Sequence, residues 1–391
     1  MSGVPIIYLI AGEPSGDLLG ARLMASLKLK LGSDGVRFAG VGGPEMISHG
    51  LESLFPMSEL SVMGLTEILP HLRHFIRRIN QCVGDVQMTR PDVLITIDSP
   101  GFCFRVAKRL RGQGIPLVHY VAPSVWAWRP GRAKKVAAFL DHLLALLPFE
   151  PPYFERVGLA TTFVGHPVVE GGAVDGDGVA FRERHAIGSD VRLLSVLPGS
   201  RNSEISRLLP VFGEAVTILA AAHPDLRVIV PTVAPLRDKV IEATKGWPCD
   251  VIVVEGAKEK FDAFAASDLA LAASGTVALE LAMSDTPAVI AYKVHPLTAW
   301  VAGMLIKTPY VNLINIILGR SVVPEFLQKE CRADLLGRAL SDLLEDRNLA
   351  RKQIAASQEA LIQLGRGGPS PSDRAADVIL SIINKQKGSQ L

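Results

Sequence analysis

Arg201 stands in the run SVLPGSRNSEISRLLPVF, directly after a Pro-Gly-Ser turn and ahead of a helical pattern. A guanidinium in that place meets an anion with its own charge and with the amides of the helix N-terminus. A departing diphosphate needs that stabilisation. The pattern predicts a strand ending at Leu197, a turn at Gly199 and Ser200, and a helix capped by Asn202 or Ser203. DLALAASGTVALELAM repeats the construction: Ser274, Gly275 and Thr276 open a helix after a strand, and Glu280 follows inside it, where a carboxylate can accept from both hydroxyls of a ribose.

Asp98 closes the apolar run of PDVLITIDSPGF. An apolar wall would raise its pKa toward a general base's working range, while the same position suits an aspartate that caps a turn. AGEPSGDLLG holds Gly12 and Gly16 for tight turns, Ser15 as a cap for the following helix, and Asp17. It matches neither GxGxxG nor GxxxxGK[ST], so it is either a ligand loop or a plain strand-to-helix turn. GVGGPEM, residues 40–46, reads as a loop beside it.

Two stretches combine apolar and basic residues. HYVAPSVWAWRPGRAKK sets Trp126 and Trp128 among Arg129, Arg132, Lys134 and Lys135, which suits a membrane interface, a phosphorylated apolar ligand, or indoles packed in a core. In residues 62–79, Leu65, Ile68, Leu69, Leu72, Ile76 and Ile79 recur at helical spacing, with Arg73, His74, Arg77 and Arg78 as a cationic side. Pro70 should split this pattern into a lead-in and a helix, which either lies on an anionic bilayer or packs on its own domain. Asp175-Gly176-Asp177 matches a bare DxD, but no strand precedes it, so it reads as solvated loop. His166, in GHP, reads as structural. No HExxH, GxSxG or paired-histidine pattern occurs, so neither metal nor cofactor is expected.

The elements that must carry these residues alternate. PIIYLIAG, PDVLITID, IPLVHYVA and HLLALLPF read as buried strands, with helical spacing between them, as in residues 17–29 and 104–111. Beyond a Gly-rich stretch after Pro167, read as a loose linker, the pattern restarts with VRLLSVLPG, LRVIVPT, CDVIVVEG, DLALAAS and TPAVIAY. Residues 333–385 read as mainly helical. Strict alternation implies right-handed βαβ units and parallel sheets, here two Rossmann-like domains with a cleft between them. In such sheets ligands gather at the C-terminal strand ends, where all these motifs lie.

The 391 residues suit two domains, and 48% hydrophobic against 20% charged residues supplies two cores. Lys and Arg (41) nearly balance Asp and Glu (39), which argues against a nucleic-acid partner. Cys82, Cys103, Cys249 and Cys331 are widely spaced, so neither a disulfide framework nor a zinc site is expected, and a reducing cytoplasm fits. No apolar run reaches the length of a spanning helix.

Taken together, AGEPSGD, IDSPGF, HYVAPSVWAWR, LPFE, FVGHP, LPGSRNSEI and SGTVALE, followed by KTPYVNLINIILGR and VPEFLQ, resemble the lipid-A-disaccharide synthase family from about residue 8 to residue 330. The resemblance implies a metal-independent GT-B glycosyltransferase of Gram-negative bacteria, peripheral on the cytoplasmic face of the inner membrane. It implies an inverting transfer from UDP-2,3-diacylglucosamine to 2,3-diacylglucosamine 1-phosphate (lipid X), giving the β-1,6 disaccharide 1-phosphate and UDP.

By the same resemblance Asp98 is the base, Gly199, Ser200 and Arg201 hold the leaving diphosphate, and Ser274, Gly275, Thr276 and Glu280 bind the nucleotide. Asn315 should lie close to that site, and Ser15, Gly16, Asp17, Trp126 and Arg129 should serve the acceptor side. Where family members commonly carry a second aspartate after the proline, this sequence has Gly101, which leaves the base role to Asp98. Residues 1–168 should form the acceptor and membrane domain, joined by a returning helix at 360–391, with 169–359 as the donor domain. A homodimer is implied, and the apolar segment 297–306 is suited either to that contact or to a core. Three rivals share the architecture: a UDP-sugar 2-epimerase, a soluble UDP-GlcNAc transferase and a non-catalytic nucleotide-binding scaffold.

Overall fold

Short runs of Ile, Val and Leu closed by glycine, proline or a small polar residue become the central strands of two separate sheets. The computed structural model describes residues 3–61, 68–126, 131–294 and 308–389. The chain divides into one unit of Met1–Pro167 with Gly367–Leu391 and a second of Val168–Arg366.

The first unit contains β1 (Ile6–Ala11), α1 (Pro14–Leu31), β2 (Arg37–Val41), α2 (Pro44–Ser48), β3 (Glu52–Ser53) and α3 (Ser58–Ser61). It continues through α4 (Ile68–Thr89), β4 (Val93–Ile97), α5 (Pro100–Leu110), β5 (Leu117–Tyr120), α6 (Gly131–Ala137), β6 (His142–Ala145), α7 (Pro151–Glu155) and β7 (Ala160–Phe163). The strands pair in parallel in the order β3-β2-β1-β4-β5-β6-β7. Because both faces of β1 and β4 are covered, these strands are apolar on both sides, Thr96 excepted, rather than alternating.

The second unit contains α8 (Gly178–Arg184), β8 (Leu193–Leu197), α9 (Asn202–Ala222), β9 (Arg227–Thr232), α10 (Arg237–Thr244), β10 (Val251–Glu255) and α11 (Ala257–Ala266). Then follow β11 (Leu269–Ala273), α12 (Val277–Met283), β12 (Ala288–Tyr292), α13 (Leu313–Leu318), β13 (Glu325–Leu327), α14 (Ala333–Glu345) and α15 (Arg347–Gln363). Its parallel order is β10-β9-β8-β11-β12-β13. In each sheet the strand order reverses beside the first strand, between β1 and β4 and again between β8 and β11. A crevice at the C-terminal strand ends opens at such a reversal.

The last helix, α16 (Pro371–Ser389), packs Ala375, Ala376, Ile379 and Ile383 against Leu23, Met24 and Leu27 of α1, closing one face of the first sheet. The return to the first unit begins at Gly367 rather than at residue 360, because Ala360 and Leu361 of α15 are buried within the second unit, where α15 packs on α12 and α13. α9 has the length and hydropathy to cross a membrane, yet its Leu208, Phe212, Ala215 and Leu219 are buried in the second core.

Three expectations need correction. The Gly-rich stretch after Pro167 is not a loose linker. Gly176 and Gly178 lie so close to α11 that a Cβ on either would strike the backbone carbonyl of Phe261 or Ala265. Asp177 of the DxD there caps α8, accepting from the Ala180 N–H at 2.9 Å. GVGGPEM is not one loop: Gly40 and Val41 end β2, and Gly43 begins α2. The basic face of α4 also divides. Arg73 and Arg77 are exposed beside Ile76, whereas Arg78 turns inward, donating to both oxygens of Glu59 at 2.8 and 2.6 Å with its guanidinium 4.5 Å from the Phe55 ring. The lead-in to α4 and the segment 297–306 lie outside the described residues.

Candidate active site

The reversal in the first sheet brings the β1 and β4 ends into contact. A Cβ on Gly12 would lie 2.7 Å from Ser99 Oγ, so only glycine fits there, and Gly16 packs on Ile97, the residue before Asp98. Asp98 and Ser99 both hold left-handed backbone, with φ of 48° and 40°. Non-glycine residues seldom adopt that conformation, and two in succession concentrate strain at one strand end. The turn leaves Asp98 half-buried ahead of α5. Burial pushes its carboxyl above the usual carboxylate range, and the Ser99 backbone N–H only partly offsets this. Gly101 is exposed, with open space where a side chain would stand.

Asp17 does not join this group. Its side chain is 2% exposed and accepts from the backbone N–H groups of Gly43 (2.8 Å), Glu45 (3.0 Å) and Met46 (3.0 Å). It is therefore the cap of α2, supplied from the first turn of α1 because Gly43, at the cap position, has no side chain. A Cβ on Gly43 would lie 2.5 Å from Asp17 Oδ2, which explains the glycine. Ser15 is exposed in the first turn of α1, whose N-cap is Glu13 and not Ser15.

Trp126 likewise faces its own unit. Its indole N–H donates to Glu150 Oε1 at 3.3 Å, and its ring meets Phe149 edge-on with centroids 5.2 Å apart. Glu150 also accepts from the N–H groups of Leu146 and Leu147, so LPFE is the seat on which the start of the tryptophan motif rests. Trp128 and Arg129 lie outside the described residues. His119, which opens that motif, is buried beside Thr96; burial and then the charge of Arg132 push it down to about 3, so it is neutral.

Burial pushes the Glu150 carboxyl up to about 7. A folded-state pKa raised above the unfolded value means that the folded form binds the extra proton. The stability it confers is complete below the ordinary glutamate range and is lost as pH rises to about 7. The loss between those limits is about 3 kcal/mol. Glu150→Gln should therefore flatten the fall of Tm from pH 4.5 to pH 7 expected of the wild type; parallel Tm profiles would contradict this.

The reversal in the second sheet forms a cavity of about 400 Å³ lined by Gly199, Ser200, Arg201, Ser274, Gly275, Thr276 and Glu280. Both motifs read from the second half thus share one space. Gly199 turns with φ of 109°. The helix cap is Arg201, one residue earlier than Asn202. Glu204 accepts from the N–H groups of Ser200 (3.1 Å) and Arg201 (3.2 Å), fixing the turn. It also pairs with the Arg201 guanidinium at 3.1 Å, but that side chain is 78% exposed, so the pair is weak and the cation is free to turn to a ligand.

Asn315 lines no part of this cavity. Fully buried, it donates to the Val323 carbonyl (2.8 Å) and Glu325 Oε1 (2.5 Å) and accepts from the N–H groups of Val322 (2.8 Å) and Val323 (3.0 Å). Its amide is saturated and fastens the approach to β13. Thr232 and Lys260 are among the cavity residues not read from the sequence. Thr232 ends β9, and its buried hydroxyl has no hydrogen-bond partner among the described residues; the strand-end rule that found Asp98 would have found it. Lys260 reaches in from α11. Among the described residues no three His, Cys, Asp or Glu side chains cluster at metal spacing.

A family model described as lipid-A-disaccharide synthetase matches residues 7–379. The chain belongs to that family. It is 55% identical over 383 residues to the lipid-A-disaccharide synthase of Rhodospirillum centenum, covering 97% of this chain and 95% of the relative. It is thus a glycosyltransferase of lipid A synthesis with the GT-B fold. Among solved structures, the glycotransferase of kitacinnamycin superposes with a TM-score of 0.65 at 17% identity, covering 97% of this chain and 100% of the other. A UDP-GlcNAc 2-epimerase from Neisseria meningitidis bound to UDP-GlcNAc gives 0.62 at 12% identity, with 97% and 100% covered. At those identities the likeness is one of fold.

Proposed function

We propose that the enzyme transfers the diacylglucosamine unit of UDP-2,3-diacylglucosamine, with inversion, to the 6-hydroxyl of 2,3-diacylglucosamine 1-phosphate, giving the β-1,6 disaccharide 1-phosphate and UDP. The observation that carries this reading is the single cavity shared by the Gly199–Arg201 turn and the Ser274–Glu280 helix start. It pairs an exposed cation at a helix N-terminus with a carboxylate, the complement of a nucleoside diphosphate.

In this reading Glu280 faces the ribose, Ser274, Gly275 and Thr276 line the nucleotide, and Arg201 meets the diphosphate. Asp98 takes the proton from the acceptor's 6-hydroxyl as that oxygen bonds to the anomeric carbon. The bond from the anomeric carbon to the β-phosphate oxygen breaks on the opposite side, and the electron pair leaves with UDP. Arg201 stabilises the charge that develops there. Ser15 and Gly16 belong to the acceptor side, near the β4 end. With two acylated substrates the enzyme works at the cytoplasmic face of the inner membrane, and the exposed Arg73, Ile76 and Arg77 of α4 are the surface suited to its anionic lipids.

Arg201→Ala tests the donor half. Removing a charge-assisted contact should raise the Kd for UDP about tenfold. Since Arg201 is exposed, Tm should stay within the small range of a surface change. Titration calorimetry with UDP reads the result, and unchanged affinity together with unchanged turnover would remove Arg201 from the site.

A further inference from the structure

Glu280 is not a solitary carboxylate. Lys260, one helix away on α11, donates to both of its oxygens, at 3.0 and 2.8 Å. Both side chains are about three-quarters covered, at 28% and 24% exposure, so water screens the pair less than it screens a surface pair. The ammonium also lies 4.6 Å from the centroid of the Phe261 ring, a second attraction that limits where it can move. Both residues line the donor cavity.

A carboxylate bridged on both oxygens by one ammonium has its plane fixed, and each oxygen keeps a lone pair for a further donor. A ribose offers two adjacent hydroxyls, matching two oxygens of one carboxylate. Without the ammonium, Glu280 would be free to rotate. We infer that Lys260 is a positioning residue for nucleotide recognition, holding Glu280 oriented to accept from the 2′- and 3′-hydroxyls of the donor's ribose. The inference rests on the reading that Glu280 faces that ribose. A direct role on the diphosphate is less suited to Lys260, because two of its three N–H groups are engaged by Glu280 and Arg201 supplies a more exposed, weakly paired cation in the same cavity.

The test is titration of UDP, 2′-deoxy-UDP and UMP against the wild type, Lys260→Met, Lys260→Arg and Glu280→Gln. The wild type should prefer UDP over 2′-deoxy-UDP about tenfold, the worth of one hydrogen bond to a charged group. Lys260→Met should reduce that preference to about twofold while leaving the UDP to UMP ratio unchanged, and Lys260→Arg should restore most of it. A merely structural lysine would weaken all three ligands alike, which would overturn the proposal. So would a Lys260→Met variant that keeps its ribose preference, or one that loses the UDP to UMP ratio instead, since that marks a diphosphate ligand. Glu280→Gln separates the levels. If it loses the ribose preference while Lys260→Met keeps it, only the role of Lys260 falls; if it keeps the preference, the placement of the ribose at Glu280 falls as well.

Discussion

Asp98→Asn should lower kcat about a thousandfold, the usual contribution of a general base, while leaving UDP affinity unchanged. Asparagine is the informative replacement. Asp98 holds φ of 48°, a conformation asparagine tolerates; alanine there would add strain of about 1 kcal/mol and confuse chemistry with folding. The sign of the stability effect is also set. Burial raises the folded-state pKa, so the ionised carboxyl weighs against the fold once pH rises through the carboxylate range. The asparagine variant lacks that charge and should be as stable as the wild type, or more so, at neutral pH. The same shift places the acid limb of the wild-type kcat/KM profile above the ordinary aspartate range. Wild-type turnover in Asp98→Asn would transfer the base role elsewhere.

Asp17→Ala should destabilise the first unit by about 4 kcal/mol, because the buried N–H groups of Gly43 and Met46 lose their acceptor together with the partly exposed one of Glu45, and each buried loss costs about 1–3 kcal/mol. That is a large share of the stability of an ordinary domain. The α2 start has no other acceptor to offer, since Gly43 carries no side chain. Asp17→Asn retains one acceptor oxygen and should lose about half as much. Denaturant unfolding reads both values. A variant that unfolds at the wild-type midpoint, yet loses turnover, would return Asp17 to the substrate.

That aspartate shows where a sequence stops being informative. Its acid group stands in the first turn of α1, in a glycine-rich stretch just after a strand where ligand loops also occur, and its actual partners lie 26 to 29 residues away. Asn315 misleads for the same reason: a polar residue in an apolar run can face a ligand or a backbone, and only the fold decides. Trp126 and Glu150, 24 residues apart, and Lys260 and Glu280, 20 apart on different helices, are likewise pairs that no local spacing reveals.

What was legible is what depends on local order. β1, β4, β8 and β11 are apolar runs, interrupted only by Thr96 in β4 and Ser195 in β8 and ended by turn residues, so their C-terminal ends, and the residues just beyond, follow directly. β2 and β13 escaped because they are short and partly exposed, and Gly40 within β2 resembles loop. Its glycine is required by the neighbouring strand, since a Cβ there would strike the Leu9 carbonyl.

The most direct measurement follows the product itself. Purified enzyme is incubated with UDP-2,3-diacylglucosamine and lipid X in the presence of EDTA, and the lipid product is weighed by mass spectrometry while UDP is quantified. The account predicts a disaccharide 1-phosphate formed one for one with UDP, and no UDP release when lipid X is omitted. UDP released without disaccharide, or a UDP-sugar isomerised without any acceptor, would contradict it.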